Sequence, residues 1–597
     1  MANKYKVTQT AIAQLLEDVR RDQIAIPELQ RPFVWKSTQV RDLLDSLYKG
    51  YPVGYLITWQ SVGAKLKGGT VAAHQQILID GQQRITALRA AVAGLDVVDK
   101  RYRKVRIRIA FNPVTEEFAT WTPVIGKNPA WVSDVSELFN ATSMMGFLRR
   151  YFEANPEADE NLVEQNLERL LAIKNAQIGV ITLADDLDVE TVSEIFIRIN
   201  QRGVRLSSAD FVMSKVATYG DLGRNLRKLI DYFAHLAVAP HAYEDIAGND
   251  DDFAASPYLQ AIEWMRHDTS DLYDPDYTDI IRVAGLVGFS RGKASSIVSE
   301  LSGLDPETRK NDSERIPGAY ETLEAALLRL VRKSDYEEFL MSISSAGFIT
   351  PSLANSKNAL NFAYALFLRL RDDASVSHGE RKAIVRRWFV MSMLTGRHSG
   401  SFETTWESDI RRIGQRGARA VLEQIEAEEL SDAFWTARLP RTLDTRSVQS
   451  PAFKTFLAAQ VKLKARGFLS RHVTVDDMIR ESGDIHHVVP KDYLRKNGFP
   501  DPSQYNQVAN FALTEGPVNR AISNHPPQEY LERVTRQADN GQLDLGEIVD
   551  ADDLARNLAE NALPADLAQV DATNYPEFLE HRRVLMAQMM RRYYEAL

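Results

Sequence analysis

The chain contains no cysteine among its 597 residues. This excludes disulfide bonds, cysteine-ligated zinc sites, iron–sulfur clusters and a cysteine nucleophile. Long apolar runs are missing as well: no stretch approaches the roughly 20 apolar residues that cross a bilayer. The N-terminal sequence MANKYKVTQT has no apolar signal core. We therefore expect a soluble, cytoplasmic protein without a membrane partner.

A nucleotide-binding P-loop is also absent from the sequence. The nearest string, VGFSRGKAS (287–295), has Val287 where the first glycine is needed and Ala294 where serine or threonine is needed. Any nucleotide hydrolysis by this chain must therefore use different residues.

The charge of the chain is distributed unevenly. The net charge is −9, yet residues 1–110 alone carry +9. A basic N-terminal block on an otherwise acidic chain indicates a surface that contacts phosphates, although ordinary surface unevenness would give the same count.

The order of periodic segments predicts a multidomain α+β protein. Residues 1–215 alternate helices with short strands, which we predict at 53–59, 76–79, 105–111 and 177–183. Residues 216–465 have helical periodicity, with helices expected at 358–371, 383–395 and 416–429. Residues 466–597 form the third predicted domain. The amphipathic segment at its end indicates a packed helix.

The most informative segment is DIHHVVPKDYL (484–494), followed by NQVANFALTEGPVNRAISN (506–524). Two adjacent histidines stand in what we predict is a short strand that includes the following Val-Val. Neighbouring side chains on a strand point to opposite faces, so a bulge or bend is needed before both can serve one site. Asn510 and Asn519 bracket a strand-like start and a helix-like end. The alternative is a buried histidine pair with two capping asparagines.

This arrangement resembles the HNH, or ββα-metal, nuclease fold, in which two strands and a helix hold one divalent cation. Phosphodiester hydrolysis needs a base that activates water and a cation that stabilises the departing oxygen. Neutral imidazole suits the base, and oxygen ligands suit Mg²⁺ or Mn²⁺. The resemblance implies His487 as general base, Asn510 as the residue that holds the base-bearing loop, His486 and Asn519 as metal ligands, Asp484 as an additional metal or outer group, and Lys491 and Arg520 as phosphate contacts.

A second motif runs through IPELQRPFVW (26–35), GYPVG (50–54) and ILIDGQQRITAL (77–88). The last string reads as a strand, an Asp-Gly turn and a helix start. The unpaired N–H groups at such a helix start attract phosphate. We expect nucleotide contacts from Arg31, Gly81, Gln82, Gln83 and Arg84. Asp80 and Arg84 are the expected catalytic residues of this site, with Asp80 holding a metal or positioning a water molecule. A plain strand–turn–helix is the alternative.

The DGQQR string and the upstream Pro-x-x-Gln-Arg resemble the ParB/sulfiredoxin-like nucleotidase domain of GmrSD-type proteins. EIFIRINQRGVRLSSADF (194–211) resembles a second segment of that domain, in which Asn200, Gly203 and Asp210 match, and Asn200 becomes a nucleotide-binding candidate. LTGRHSGSFETTWESDI (394–410) resembles the helical region that follows. The predicted domains are thus a ParB/sulfiredoxin-like α/β domain (1–215), a helical domain (216–465) and an HNH domain embedded in helices (466–597).

A basic strand is predicted in RYRKVRIRIA (101–110), where Arg106 and Arg108 share one face. This face is a candidate contact for DNA or for a triphosphate, and a solvated strand face is the alternative.

The resemblance implies a modification-dependent, or type IV, restriction endonuclease of antiphage defence, with an HNH nuclease and an NTPase. Its expected partners are double-stranded DNA carrying a modification, Mg²⁺ or Mn²⁺, and GTP, ATP or CTP, between which the sequence does not choose. A homodimer is one expected assembly. A ParB-like, nucleotide-switched DNA-binding protein without nuclease activity is the runner-up, and a helical interaction scaffold is a third alternative.

Overall fold

The computed structural model describes residues 4–21, 23–25, 35–60, 76–98, 104–184, 187, 191–192, 195, 208–217, 219–304, 312–481 and 483–597. The chain divides into two units: Met1–His267 with Ala294–Glu324, and Asp268–Lys293 with Ala325–Leu597. The predicted helical stretch 216–465 contributes to both units, and the boundaries at 215 and 465 stay predictions. No helix of the described residues is both long and apolar enough to span a membrane.

A five-stranded sheet organises the first unit. The strands of the chain are β1 (Tyr5–Ala11), β2 (Ile24–Ala25), β3 (Tyr55–Gln60), β4 (Gln76–Asp80), β5 (Val97–Val98), β6 (Lys104–Val105), β7 (Ile109–Asn112), β8 (Glu117–Thr120), β9 (Gln177–Leu183), β10 (Asp484–His487) and β11 (Phe511–Thr514). The sheet order is β1-β9-β3-β4-β2. β9 runs antiparallel to β1 and parallel to β3, and β4 runs antiparallel to β3. The sheet with its flanking helices confirms a mixed α and β architecture.

One face of this sheet packs on helices of the first unit. Leu56, Ile178 and Val180 alternate into a core that also contains Ile12 and Leu88, as expected for strands with a period of two. The helices of this unit are Ile12–Arg20, Ser37–Tyr48, Gln82–Ala91, Pro123–Lys127, Val135–Phe139, Met144–Ala154, Glu160–Leu171, Ser208–Ala217, Gly220–Val238, Tyr243–Asn249, Asp251–Ala254, Pro257–Ile262 and Ala294–Leu301; Ile316–Leu330 begins in it.

The predicted single strand 105–111 is wrong. The structure has two short strands there, β6 and β7, with residues 106–108 outside both. β6 pairs with β5, whereas β7 pairs with β8. The segment therefore passes from one hairpin to another, which breaks the strand. The other three strand predictions are confirmed to within a few residues.

The second unit is built mainly of helices. The predicted helices 358–371 and 383–395 are confirmed within Lys357–Arg371 and His378–Thr395. The helix predicted at 416–429 begins after Gly417, whose φ of +81° separates it from the preceding helix. The α-helices wholly in this unit are Tyr277–Phe289, Lys333–Ser345, Lys357–Arg371, His378–Thr395, Phe402–Arg416, Ala418–Glu429, Leu439–Thr442, Pro451–Lys462, Val475–Arg480, Lys491–Lys496, Pro502–Tyr505, Gly516–Ile522, Pro527–Asn540, Ala551–Glu560 and Tyr575–Glu595.

Candidate functional site

Two strands and a helix form the centre of the C-terminal candidate site. β10 pairs antiparallel with β11 one residue to one residue, from Asp484 opposite Thr514 to His487 opposite Phe511. The chain then enters the helix Gly516–Ile522, with Pro517 in its first turn. This is the strand–strand–helix order that the sequence predicts. We call it the ββα element (residues 484–522).

The predicted continuation of the first strand through Val489 is wrong. β10 ends at His487 because the next two backbone groups bond to Asn510 instead of to a strand. Val488 N donates to Asn510 O at 2.8 Å, and Val489 N donates to Asn510 Oδ1 at 2.8 Å. No register shift separates His486 from His487, so the bulge that would bring both to one face is not formed.

Three predicted metal-site residues lie together on the ββα element. His486 Nδ1 is 2.8 Å from Asn519 Oδ1, and Asn519 Nδ2 donates to Asp484 Oδ2 at 3.3 Å. Asp484 and His486 are two positions apart on β10 and therefore share one face. The ring of His486 stacks on Phe468 with centroids 5.9 Å apart. We call Asp484, His486 and Asn519 the polar triad.

His487 points away from the polar triad. Its Nε2 is 2.9 Å from Asn506 Oδ1, and its ring meets Phe511 edge-on with centroids 5.1 Å apart. The predicted base and the predicted metal ligands are thus neighbours in the chain that lie on opposite faces of β10. No hydrogen bond or ring contact of the described residues joins the His487 ring to the triad.

Asn510 holds the backbone that follows His487. Its side chain is fully buried and bridges Val489, accepting from Val489 N and donating to Val489 O at 3.0 Å. The same Nδ2 donates to Tyr505 O at 3.2 Å. The side-chain oxygen and nitrogen of Asn510 both take part in these contacts. They connect Asn510 to the loop that follows His487.

Burial favours the neutral form of both histidines of the site by lowering the pKa of each. Burial lowers the pKa of His486 to about 4, and the hydrogen bond that its Nδ1 donates to Asn519 Oδ1 opposes this shift. Burial also lowers the pKa of His487, the hydrogen bond with Asn506 opposes this shift, and the nearby Lys491 charge adds to it. Neutral imidazole is the form that accepts a proton or binds a metal.

The two predicted phosphate contacts of this region are exposed cations. Lys491 starts the helix Lys491–Lys496. Arg520 lies on the helix of the ββα element, and its Nη1 and Asp484 Oδ2 both lie beside Gly516. A positive group therefore lies near each end of β10, with Arg520 near Asp484 and Lys491 near His487.

The polar triad has the donor types of a divalent-cation site. One carboxylate, one imidazole and one amide oxygen suit Mn²⁺ or Mg²⁺. The His486 nitrogen that faces the triad is Nδ1, which contacts Asn519; the other nitrogen, Nε2, is buried and has no hydrogen-bond partner among the described residues. Those residues contain no group of three or more His, Cys, Asp or Glu that could hold a metal, so any metal here would depend on the amide of Asn519.

The N-terminal motif forms the expected strand–turn–helix. β4 ends at Asp80, Gly81 has a φ of +99°, and the helix begins at Gln82. A Cβ on Gly81 would lie 2.2 Å from Leu56 Cδ2. Glycine is therefore required here for both its backbone conformation and its size.

Arg84 is held against the end of the neighbouring strand. Its Nη1 donates to Tyr55 O at 2.8 Å, and its Nη2 lies 3.5 Å from Asp80 Oδ2. The side chains of Arg84 and Asp80 are 21% and 27% exposed, so both reach solvent. Gln82 Nε2 lies 3.4 Å from Leu78 O, and Gln83 follows on the same helix.

Residues 12–217 match the family model of the GmrSD restriction endonuclease, N-terminal domain. The match includes the Asp80–Arg84 turn and supports the N-terminal part of the predicted resemblance. It ends before the ββα element, which rests on its own geometry. Comparison with the curated proteins found no match.

The matched segment also contains the other residues predicted to contact nucleotide or DNA. Arg31 and Asn200 lie outside the described residues, as does Gly203. Arg106 Nη2 donates to Ser136 Oγ at 2.8 Å and lies 3.3 Å from the buried Asp134. Arg108 lies over the ring of Trp121 at 5.0 Å. Both arginines are exposed, but residues 106–108 are not in a strand, so the predicted shared strand face is not formed, and protein groups engage both side chains.

Sequence reasoning missed two residues of the ββα site. Asn506 bonds the predicted base, and the buried Tyr530 donates to Val488 O at 2.9 Å. Asn506 lies in the quoted NQVANF string, yet no spacing rule distinguishes it from Asn510. Tyr530 lies in the helix Pro527–Asn540, outside the motif, and only the tertiary structure brings it to this loop.

Proposed function

We propose that the chain is a metal-dependent DNA endonuclease that cleaves modified DNA, in the manner of a type IV restriction enzyme. The observation that carries the proposal is the polar triad on the ββα element, with a neutral histidine directly after it. The match of residues 12–217 to the N-terminal domain of a restriction endonuclease supports DNA as the substrate.

In this proposal His487 accepts a proton from the attacking water. Its lowered pKa keeps the ring unprotonated at neutral pH, as a general base requires. Asp484, His486 and Asn519 would hold Mg²⁺ or Mn²⁺, which when bound stabilises charge on the departing oxygen. Lys491 and Arg520 would contact phosphates next to the scissile bond.

The opposite orientation of the two histidines restricts where the substrate can bind. A phosphate that lies on either face of β10 reaches only one of them. In this proposal the scissile phosphate lies at the His487 end of β10, where the strand stops and the His487 ring is partly exposed, whereas the His486 ring is buried. Lys491 begins the helix that follows this end of the strand.

The N-terminal turn is proposed to bind a nucleoside triphosphate and to couple it to DNA sensing. The helix start at Gln82 offers N–H donors to a phosphate, and Gly81, Gln83 and Arg84 complete the described part of the site. Asp80, beside Arg84, would position a water molecule or a metal for hydrolysis. Regulation requires that nucleotide binds the cutting and resting states with different affinities.

Digestion of matched modified and unmodified phage DNAs tests the proposal. Wild-type protein should cut the modified DNA in Mg²⁺ or Mn²⁺ and lose activity in EDTA. Addition of GTP, ATP or CTP should change the rate, and Arg84→Ala should reduce that response. Sedimentation with and without nucleotide tests the expected homodimer.

The outcomes separate the two proposed activities. Absence of cleavage with either metal and every nucleotide would contradict the endonuclease and leave the nucleotide-switched DNA-binding protein. Cleavage that is identical with and without nucleotide in both wild type and Arg84→Ala would limit the N-terminal domain to DNA sensing.

A further inference from the structure

The single hydrogen bond of the His487 ring in the described structure has chemical consequences. His487 Nε2 lies 2.9 Å from Asn506 Oδ1. An amide oxygen only accepts hydrogen bonds, so Nε2 must carry the hydrogen. In a neutral imidazole the other nitrogen, Nδ1, then carries the lone pair. None of the described residues hydrogen-bonds to Nδ1.

Asn506 is fixed in place by the short helix that precedes it. Asp501 and Gln504 cap the helix Pro502–Tyr505 reciprocally, and Asn506 N donates to Pro502 O at 3.0 Å. The carbonyl of Gln504 accepts from Tyr575, whose hydroxyl lies 3.1 Å away. The side-chain amide of Asn506 therefore projects from a turn whose backbone is held by these hydrogen bonds.

The ring plane of His487 is restricted as well. Phe511 meets the ring at 90° with centroids 5.1 Å apart, and Tyr505 lies 6.3 Å away on another side. These aromatic side chains set the plane of the ring, and Asn506 holds Nε2. The direction in which Nδ1 points is therefore fixed as well.

We propose that Asn506 is a positioning residue that fixes His487 in the Nε2–H tautomer and so presents Nδ1 as the proton acceptor for the attacking water. The inference rests on the proposed endonuclease function and adds to it a residue outside the His486, His487, Asn510 and Asn519 set. Asn506 itself touches neither the water nor the phosphate; it acts through the imidazole.

Substitutions of Asn506 separate its hydrogen bond from its packing. Asn506→Leu keeps a similar volume but removes the acceptor, whereas Asn506→Asp keeps an oxygen acceptor at this position. Asn497→Leu is the matched control, because Asn497 also follows a short helix, Lys491–Lys496, and among the described residues its side-chain amide bonds only Tyr493 O.

Two measurements test the proposal. Nitrogen-15 NMR of metal-free wild-type protein, above neutral pH, should show the Nε2–H tautomer for the ring signal that disappears in His487→Gln. Asn506→Leu should show mixed tautomers. In cleavage assays Asn506→Leu should lower kcat about 10- to 100-fold, as loss of a ring-orienting partner does at histidine sites, with KM nearly unchanged. Asn506→Asp and Asn497→Leu should retain most of the activity.

The results distinguish this inference from the function on which it rests. A wild-type His487 found in the Nδ1–H tautomer, or an Asn506→Leu variant at wild-type kcat in an active enzyme, would overturn the positioning role alone. Wild-type protein that cleaves no DNA, with or without nucleotide, would overturn the endonuclease and the positioning role together.

Discussion

The N-terminal turn and the ββα element hold their polar side chains in different ways. Asp80 and Arg84 are four residues apart, lie 3.5 Å from each other and share one short string. In the ββα element, by contrast, the bond of His486 to Asn519 spans 33 residues, and that of His487 to Asn506 spans 19. The first site is local and lies inside the segment that matches a known family. The second site is built from residues far apart in the sequence and lies outside that segment. It is described by the contacts that bring those residues together.

The two sites differ in how strongly the fold constrains their residues. A contiguous string such as DGQQR locates a site but does not say whether its groups meet a ligand. A dispersed site is harder to locate in a sequence. Once the fold brings its distant residues together, however, the distances between them limit the reactions that the site can perform. The following experiments test that contrast.

The largest effect is expected at the predicted base. His487→Ala should reduce cleavage about 10²- to 10⁴-fold, the usual contribution of a general base, without loss of DNA binding. His525→Ala is the control, since His525 is an exposed histidine whose side chain pairs with the exposed Glu529, the one ionic partner it has in the described part of the chain. Cleavage by His487→Ala at the rate of wild type would remove His487 from the mechanism.

Acid should destabilise the dispersed site through His486. Burial lowers the pKa of His486 to about 4, below the value of about 6.5 in an unfolded chain. Protonation therefore favours unfolding: the stability that the neutral ring provides is complete above pH about 6.5 and is lost as the pH falls through about 4. The difference between the two pKa values corresponds to a loss of about 3 kcal/mol in the free energy of unfolding. Thermal melts of metal-free protein across this range should show less acid sensitivity for His486→Gln, and equal sensitivity would contradict the assignment.

Removal of the Asn510 side chain should destabilise the fold of the ββα element. Asn510→Ala loses two hydrogen bonds to Val489 and one to Tyr505, each with a net contribution of about 1 kcal/mol. The expected cost is about 2–4 kcal/mol, measured as a lower unfolding midpoint in urea. The exposed Asn540 provides the control variant Asn540→Ala, and a comparable shift in both variants would argue against a special role for Asn510.

The local site should depend on its glycine. Gly81→Ala introduces a side chain at positive φ, which costs about 1–2 kcal/mol, and places a Cβ 2.2 Å from Leu56 Cδ2, which adds about 1–3 kcal/mol of overpacking. Gly498→Ala separates the two terms, because Gly498 has a φ of +102° and nothing within 4 Å of its Cβ position. Equal destabilisation of both variants would mean that the steric contact is relieved at no cost.

The smallest effect is expected for the basic segment. Each lost phosphate contact lowers the slope of log affinity against log salt by roughly 0.9 for duplex DNA. Arg106 is already engaged by Asp134 and Ser136, and Arg108 lies over Trp121. We therefore expect Arg106→Ala/Arg108→Ala to change the slope by no more than about 1. An unchanged slope would assign both arginines to the fold, and a change near 2 would show that both leave their partners to bind DNA.

The sequence predicts the local features of both sites and misses the tertiary ones. The turn at Gly81 follows from the order of an apolar strand, Asp-Gly and a helix start, which are properties of neighbouring residues. The strand, strand and helix of the ββα element also follow from local patterns. The end of β10 at His487 and the bond between His487 and Asn506 depend on how the chain from 488 to 510 folds back. No periodicity encodes that path, and for the same reason the break at 106–108 was not predicted.

The one-to-one pairing of β10 with β11 has a consequence for how this element can diverge. An insertion of one residue between Asp484 and His486 would place the two side chains on opposite faces of β10, so this part of the strand cannot change length without loss of the triad. The interval between them includes exposed positions such as Gly498, where added residues would meet no neighbour. Descendants of this sequence should therefore keep the His-His pair and the nine-residue step from Asn510 to Asn519 while the stretch between the strands varies in length.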